Sequence, residues 1–106
     1  MFSRILNMTL KPNHEAELTK IVEDQILPLL KQQVGFKDEI FFVTSDGTEA
    51  FGISLWDRKE SADSYSEKGY PKVLQALTSV LNGTPRIKTC NVISSTFHQV
   101  TVKTTV

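Results

Sequence analysis

Cysteine, histidine and net charge are what this sequence has least of. Of 106 residues, one is cysteine, Cys90, and two are histidine, His14 and His98. One thiol cannot close an internal disulfide or build a multi-cysteine metal site, so Cys90 is expected as a small buried hydrophobe. Twelve Lys and Arg against 12 Asp and Glu leave a formal charge of zero. No basic run carries aromatics between its charges, so nothing points to nucleic acid or to an anionic membrane. Long apolar runs are absent too. The opening "MFSRILNMTL" breaks its apolar residues with Arg4, Asn7 and Thr9, unlike a signal-peptide core, and no other run is long enough to span a bilayer. Internal repeats, low-complexity segments and linkers are missing. The expectation is one soluble, cytoplasmic domain over residues 1–106, with no metal and no cofactor.

What is present is strong patterning. Residues 2 to 10 alternate, with Phe2, Arg4, Leu6, Met8 and Leu10 on one side and Ser3, Ile5, Asn7 and Thr9 on the other, which predicts a strand. Pro12 stops it, and Asn13 is the expected N-cap of a helix over about 14–33, with Glu15 and Glu17 near its positive end. Leu18, Ile21, Val22, Gln25, Ile26, Leu29 and Val34 recur at helical spacing, and Gly35 closes the segment. Pro28 lies inside it and predicts a kink, because it removes one hydrogen bond and crowds the carbonyl of Asp24. "FKDEIFFV" and "AFGISLW" read as two strands joined through the hairpin pair Asp46-Gly47. Asp57 and Glu60 predict a capping box for a short polar helix ending at Gly69. Tyr70-Pro71 then opens a further helix whose apolar face is Val73, Leu74, Leu77, Val80 and Leu81. A last strand is expected from Ile87 to Phe97, followed by a β-prone tail over 99–106 that should pair across a dimer or against a sheet edge.

The order is βαββαβ, the ferredoxin-like α+β arrangement of an antiparallel sheet with helices on one face. Leu6, Met8 and Leu10 form one apolar row and Phe51, Ile53 and Leu55 another, opposite the rows of Asn7 and Thr9 and of Ala50, Gly52 and Ser54. One protomer's helices cannot cover both apolar surfaces. The exposed one predicts a homodimer.

At "PLLKQQVGFKDE" and "SLWDRKESADSY" the chain resembles the antibiotic biosynthesis monooxygenase family of dimeric α+β barrels. The first stretch has a proline in the last turns of the helix before Gly35-Phe36. In the second a strand ends on Trp56, with Tyr65 nine residues on. The likeness covers about residues 3 to 98. It implies two sheets packed face to face, and a small-molecule cavity between each sheet and its own helices. Some members of this family oxidise polycyclic phenols to quinones with molecular oxygen and neither metal nor flavin. Others degrade haem with an Asn on the first strand, the Trp that ends the third, and a following His. Asn7 and Trp56 match two positions of that second pattern; His14 and His98 lie outside the third. Where the quinone-forming members place an Asn before the Trp, this chain has Gly52.

The expected pocket is therefore Asn7, Gly52, Ser54, Trp56 and Tyr65: Trp56 closes one end, Asn7, Gly52 and Ser54 form the floor, and Tyr65 reaches in. Each has a plainer alternative. Trp56 and Tyr65 can be core, Asn7 can bond the backbone, and small residues can serve close packing. Arg86 can meet an anionic ligand or solvent, and His98 can be a base or a structural residue. The reading is a small-molecule-binding protein, with cofactor-independent oxygenation of an electron-rich aromatic as its activity. The alternative is a non-catalytic ligand-binding or structural dimer.

Overall fold

The computed structural model describes residues 1–100. The element order is β1 (Phe2–Thr9), α1 (Glu15–Ile21), a π-helical turn (Val22–Ile26), α2 (Leu27–Lys31), β2 (Phe36–Val43), β3 (Glu49–Trp56), α3 (Lys59–Lys68), α4 (Tyr70–Leu77) and β4 (Arg86–Asn91). The strands form one antiparallel sheet in the order β2-β3-β1-β4, and the helices pack on one face of it. This is the expected ferredoxin-like α+β arrangement. No helix among the described residues is long and apolar enough to cross a membrane.

The register decides which side chains meet the helices. Phe2 pairs with Trp56, Arg4 with Ser54, Leu6 with Gly52 and Met8 with Ala50, and all eight residues are buried. The inner row of β1 is therefore Phe2, Arg4, Leu6 and Met8. Trp56, Met8, Leu18, Ile26, Leu30, Leu77 and Val80 are the largest fully buried side chains, so sheet and helices share one core. The outer face carries Ile5, Phe51, Ile53 and Leu55, all half-buried, with Ile40 and Phe42 still about 45% exposed on β2. Asn7 pairs with Phe51 and belongs to this outer face.

Several local expectations shift. Asn13 does not cap α1: it adopts φ +62°, and His14 holds the cap position while its carbonyl accepts the Leu18 N–H at 2.9 Å. The irregularity at Pro28 takes the form of the preceding π-turn, where the Leu27 N–H reaches back five residues to the Val22 carbonyl. Asp57 and Glu60 make no capping box. Arg58 is the N-cap of α3, without a side-chain cap, and the Asp57 carboxylate bonds Ser61, which holds it below the usual carboxylate range. Gly35 sits under this corner at φ +80°, where a Cβ would run into Asp57 and Ser61. α4 ends at Leu77, and Leu81 instead bridges Leu10. β4 stops at Asn91, short of Phe97. Cys90 is half-buried on β4. Of the tail, residues 101–106 lie outside the described residues, and 99 and 100 belong to no strand.

Candidate functional site

The inner rank of the sheet that crosses β2, β3 and β1 reads Glu39, Ser54, Arg4. It places an acid and a base in the layer between sheet and helices. Arg4 is 2% exposed, and neither Nη1 nor Nη2 has a hydrogen-bond partner among the described residues. The guanidinium instead lies over two rings, 4.6 Å from the centre of Tyr70 and 5.1 Å from that of Tyr65. Those rings come from α4 and α3, on either side of Gly69. The Tyr70 hydroxyl and Glu39 Oε2 are also buried without a partner among the described residues. Buried polar groups are almost always satisfied, so these four atoms, two of them on the cation itself, single out Arg4, Glu39 and Tyr70 as a candidate site.

Burial dominates the chemistry of these groups. It pushes the Glu39 carboxyl up from 4.5 to about 8, with Asp38 adding to the rise and the Arg4 charge opposing it. Glu39 is thus mostly a neutral acid at pH 7, poised to take or give a proton just above it. The Tyr65 and Tyr70 phenols are both driven above their ordinary value by burial, with Arg4 pulling back in part. Arg4 supplies the one fixed positive charge in this cluster.

Trp56, Ser54 and Tyr65 come together as expected, though not as free pocket lining. Trp56 is wholly buried, and its indole N–H donates to Ser54 Oγ at 2.9 Å. Ser54 Oγ in turn donates a long bond to the Arg4 carbonyl, at 3.4 Å. Tyr65 stacks on Trp56 with centroids 4.9 Å apart, and Phe36 meets Trp56 edge-on at 5.6 Å. Gly52 shares this face, but the space before it is taken: a Cβ there would stand 2.9 Å from the Phe41 ring and 3.2 Å from Glu39 Oε1. Its smallness lets Glu39 lie close to the sheet rather than leaving a void.

Asn7 is not in this site. It faces the other way, in an open cleft of about 510 Å³ with Ile5, Phe51, Arg86, Ile87 and Lys88. A second cleft, of about 390 Å³, opens between the end of α2 and α3 and has Ser61, Arg58, Lys68 and Tyr65 in its wall. Tyr65 therefore stands between that cleft and Arg4. Arg86 is exposed at the start of β4. His98 lies beyond β4, where its Nε2 is 3.2 Å from Asp38 Oδ2.

Arg4, Glu39 and Tyr70 were not among the expected site residues. The signal for Arg4 was in plain view, since a charge occupied the otherwise apolar row Phe2, Leu6, Met8, Leu10. Glu39 gave no such signal, because a register shift between Phe36 and Asp38 breaks the alternation of β2.

No family model and no curated protein sequence matches the chain. Solved structures do. A protein of unknown function from Nitrosomonas europaea superposes with a TM-score of 0.74 at 14% identity, covering 96% of this chain and 95% of that one. A monooxygenase from the ActVA-Orf6 gene of Streptomyces coelicolor, in complex with nanaomycin D, gives 0.75 at 15% identity, over 89% and 88%. SnoaB, a cofactor-independent oxygenase from Streptomyces nogalater, gives 0.72 at 13% identity, over 90% and 95%. At such identities the likeness is one of fold, and fold alone does not carry activity. With its sheet order, its helices on one face and these neighbours, the chain has the fold of the antibiotic biosynthesis monooxygenases.

Proposed function

We propose that the protein binds a small aromatic molecule between its sheet and helices, and oxygenates an electron-rich phenol there without a cofactor. The observation that carries this is the group of four buried, unpartnered polar atoms: Arg4 Nη1 and Nη2, Glu39 Oε2 and Tyr70 Oη. The Streptomyces neighbours add support, since one was solved with a ligand and another is a cofactor-independent oxygenase.

The chemistry asks little of the protein. A phenol that loses its proton becomes electron-rich enough to reduce oxygen. One oxygen atom enters the ring, the other leaves as water, and the substrate supplies every electron. Arg4 stabilises the phenolate by its charge, while Glu39, which titrates near 8, accepts the proton in its ionised form, the minor one at pH 7, and returns it. Tyr65, which covers the buried Trp56 and also lines the 390 Å³ cleft, supplies the aromatic surface against which a ring lies. The 390 Å³ cleft beside Tyr65 is the way in.

Function as a homodimer belongs to the same reading, with the outer row Ile40, Phe42, Phe51, Ile53 and Leu55 as the interface. So does a cytoplasmic location, which suits a single free cysteine. A non-catalytic ligand-binding dimer is favoured by two observations: the Trp56 N–H is used internally, and Phe41 fills the space at Gly52. Oxygen uptake decides between the two. A panel of naphthols and hydroxyanthracenes is presented aerobically and anaerobically, and uptake with at least one supports oxygenation. Binding without uptake for every member makes the protein a binder, and the enzyme reading is then wrong.

A further inference from the structure

We infer that the ligand of this site is a carboxylate, held two-pronged by Nη1 and Nη2 of Arg4, with Glu39 acting as a built-in competitor for the same cation. The inference rests on the small-molecule reading above and narrows its ligand to an anion. Arg4 keeps its charge at any pH a protein meets, and a buried charge without a counter-ion is strongly disfavoured. The Tyr65 and Tyr70 rings offset part of that cost through their faces. The ring faces supply no hydrogen-bond acceptor, and the Tyr65 hydroxyl, though near enough to Arg4 to feel it, makes no well-formed bond to either Nη atom. Two adjacent N–H donors on a planar fork match the two oxygens of a carboxylate, whereas a neutral amide or a single phenol oxygen uses the fork incompletely.

Glu39 is the acid nearest to answering this need, and it does not do so at neutral pH. The charged or titratable groups facing it are Arg4 from β1 and Tyr65 from α3, with Asp38 beside it on β2 and His98 placed 3.2 Å from Asp38. Burial holds its carboxyl protonated up to about pH 8. Below that point it offers an O–H to a ligand oxygen and leaves Arg4 unneutralised. Above it, the Glu39 carboxylate competes for Arg4 and repels an incoming anion. A ligand carboxylate is ionised on both sides of this transition, so the part of its pH dependence that Glu39→Gln removes reports Glu39.

The test is calorimetric titration of the protein with 2-naphthoate and with its neutral isostere 2-naphthamide, at about pH 6 and about pH 10, on either side of the Glu39 transition. At the lower pH the naphthoate should bind about tenfold or more tighter than the amide, a difference that an added charge-assisted, two-pronged contact accounts for. At the higher pH that preference should shrink. Arg4→Met should abolish it, and Glu39→Gln, which keeps a donor but cannot ionise, should hold it at both pH values. Should Arg4→Met fail to fold, the pH dependence of Glu39→Gln carries the test by itself. Equal binding of acid and amide overturns the inference while leaving a small-molecule site in place. A preference that survives Arg4→Met, or a pH dependence that survives Glu39→Gln, overturns it as well. If neither probe binds, the carboxylate claim fails, and oxygen uptake with neutral phenols still decides the parent reading separately.

Discussion

At the scale of single residues, the protein is organised around a cation in an apolar row. Arg4 occupies a position that alternation assigns to the core, and it is in the core. Its neighbour Glu39 makes a prediction with a definite sign. The folded state holds the Glu39 proton up to about pH 8, whereas an unfolded chain releases it near 4.5. Between those values the native state binds one more proton, so this contribution to stability is full below about 4.5, declines as pH rises, and is gone above about 8. Each pH unit in that window removes about 1.4 kcal/mol at most from this one group. Glu39→Gln cannot lose a proton, so its urea midpoint should match the wild type near pH 4.5 and exceed it at pH 8. A wild-type advantage that persists at pH 8 would show that Glu39 is charged and paired in the fold. Trp56 gives a second prediction. Trp56→Ala should cost about 3–5 kcal/mol as a large buried ring is lost. Trp56→Phe keeps much of that volume and loses the bond to Ser54, so it should cost only about 1 kcal/mol from that bond, besides some packing. Denaturant midpoints of the two variants check the ordering.

At the scale of elements, the corner after α2 is the most constrained point. Gly35 has a positive φ, and its missing Cβ leaves room for Asp57 and Ser61, which tie the end of β3 to the start of α3. Gly35→Ala should therefore destabilise by about 2 kcal/mol or more, measured by thermal or urea unfolding. A neutral result would mean that the corner relaxes freely. The elements also show what was legible in the sequence. Strands, helices and the Asp46-Gly47 hairpin follow from period and turn chemistry, because those signals are local. The caps do not: Asn13 and Asp57 are good cap types, but each lies one residue before the position the chain uses. The last helix overshoots for a similar reason. Val80 and Leu81 continue the apolar face of α4 in spacing, yet they are buried by a turn that brings Leu81 to Leu10. The placement of the candidate residues was legible in part. Trp56, Ser54 and Tyr65 follow from parity within β3 and the following helix. Asn7 was set on the wrong face because alternation separates two rows without saying which row meets the helices, and here Arg4 shares the inner row with Leu6 and Met8.

For the molecule as a whole, the helices cover one face of the sheet and leave the other with Ile40 and Phe42 nearly half exposed beside Phe51, Ile53 and Leu55. A second copy of the chain is the expected cover. The wild type should scatter light as a dimer at micromolar concentration, and Ile53→Lys, which puts a charge at the centre of that row, should yield a monomer. A wild-type monomer, or an unaffected dimer in the variant, would place the interface elsewhere or remove it. The outer face also holds a rival location for a ligand, the cleft of Asn7, Phe51 and Lys88. The central claim is that the site lies on the inner face, over Arg4. It is tested most directly by the crystal structure of the protein soaked with 1-hydroxy-2-naphthoate, which carries both a phenol and a carboxylate. The account expects ligand density against Arg4, between Tyr70 and a Tyr65 ring displaced from its stack on Trp56. Density confined to the outer cleft beside Asn7, or no density at all, would contradict it.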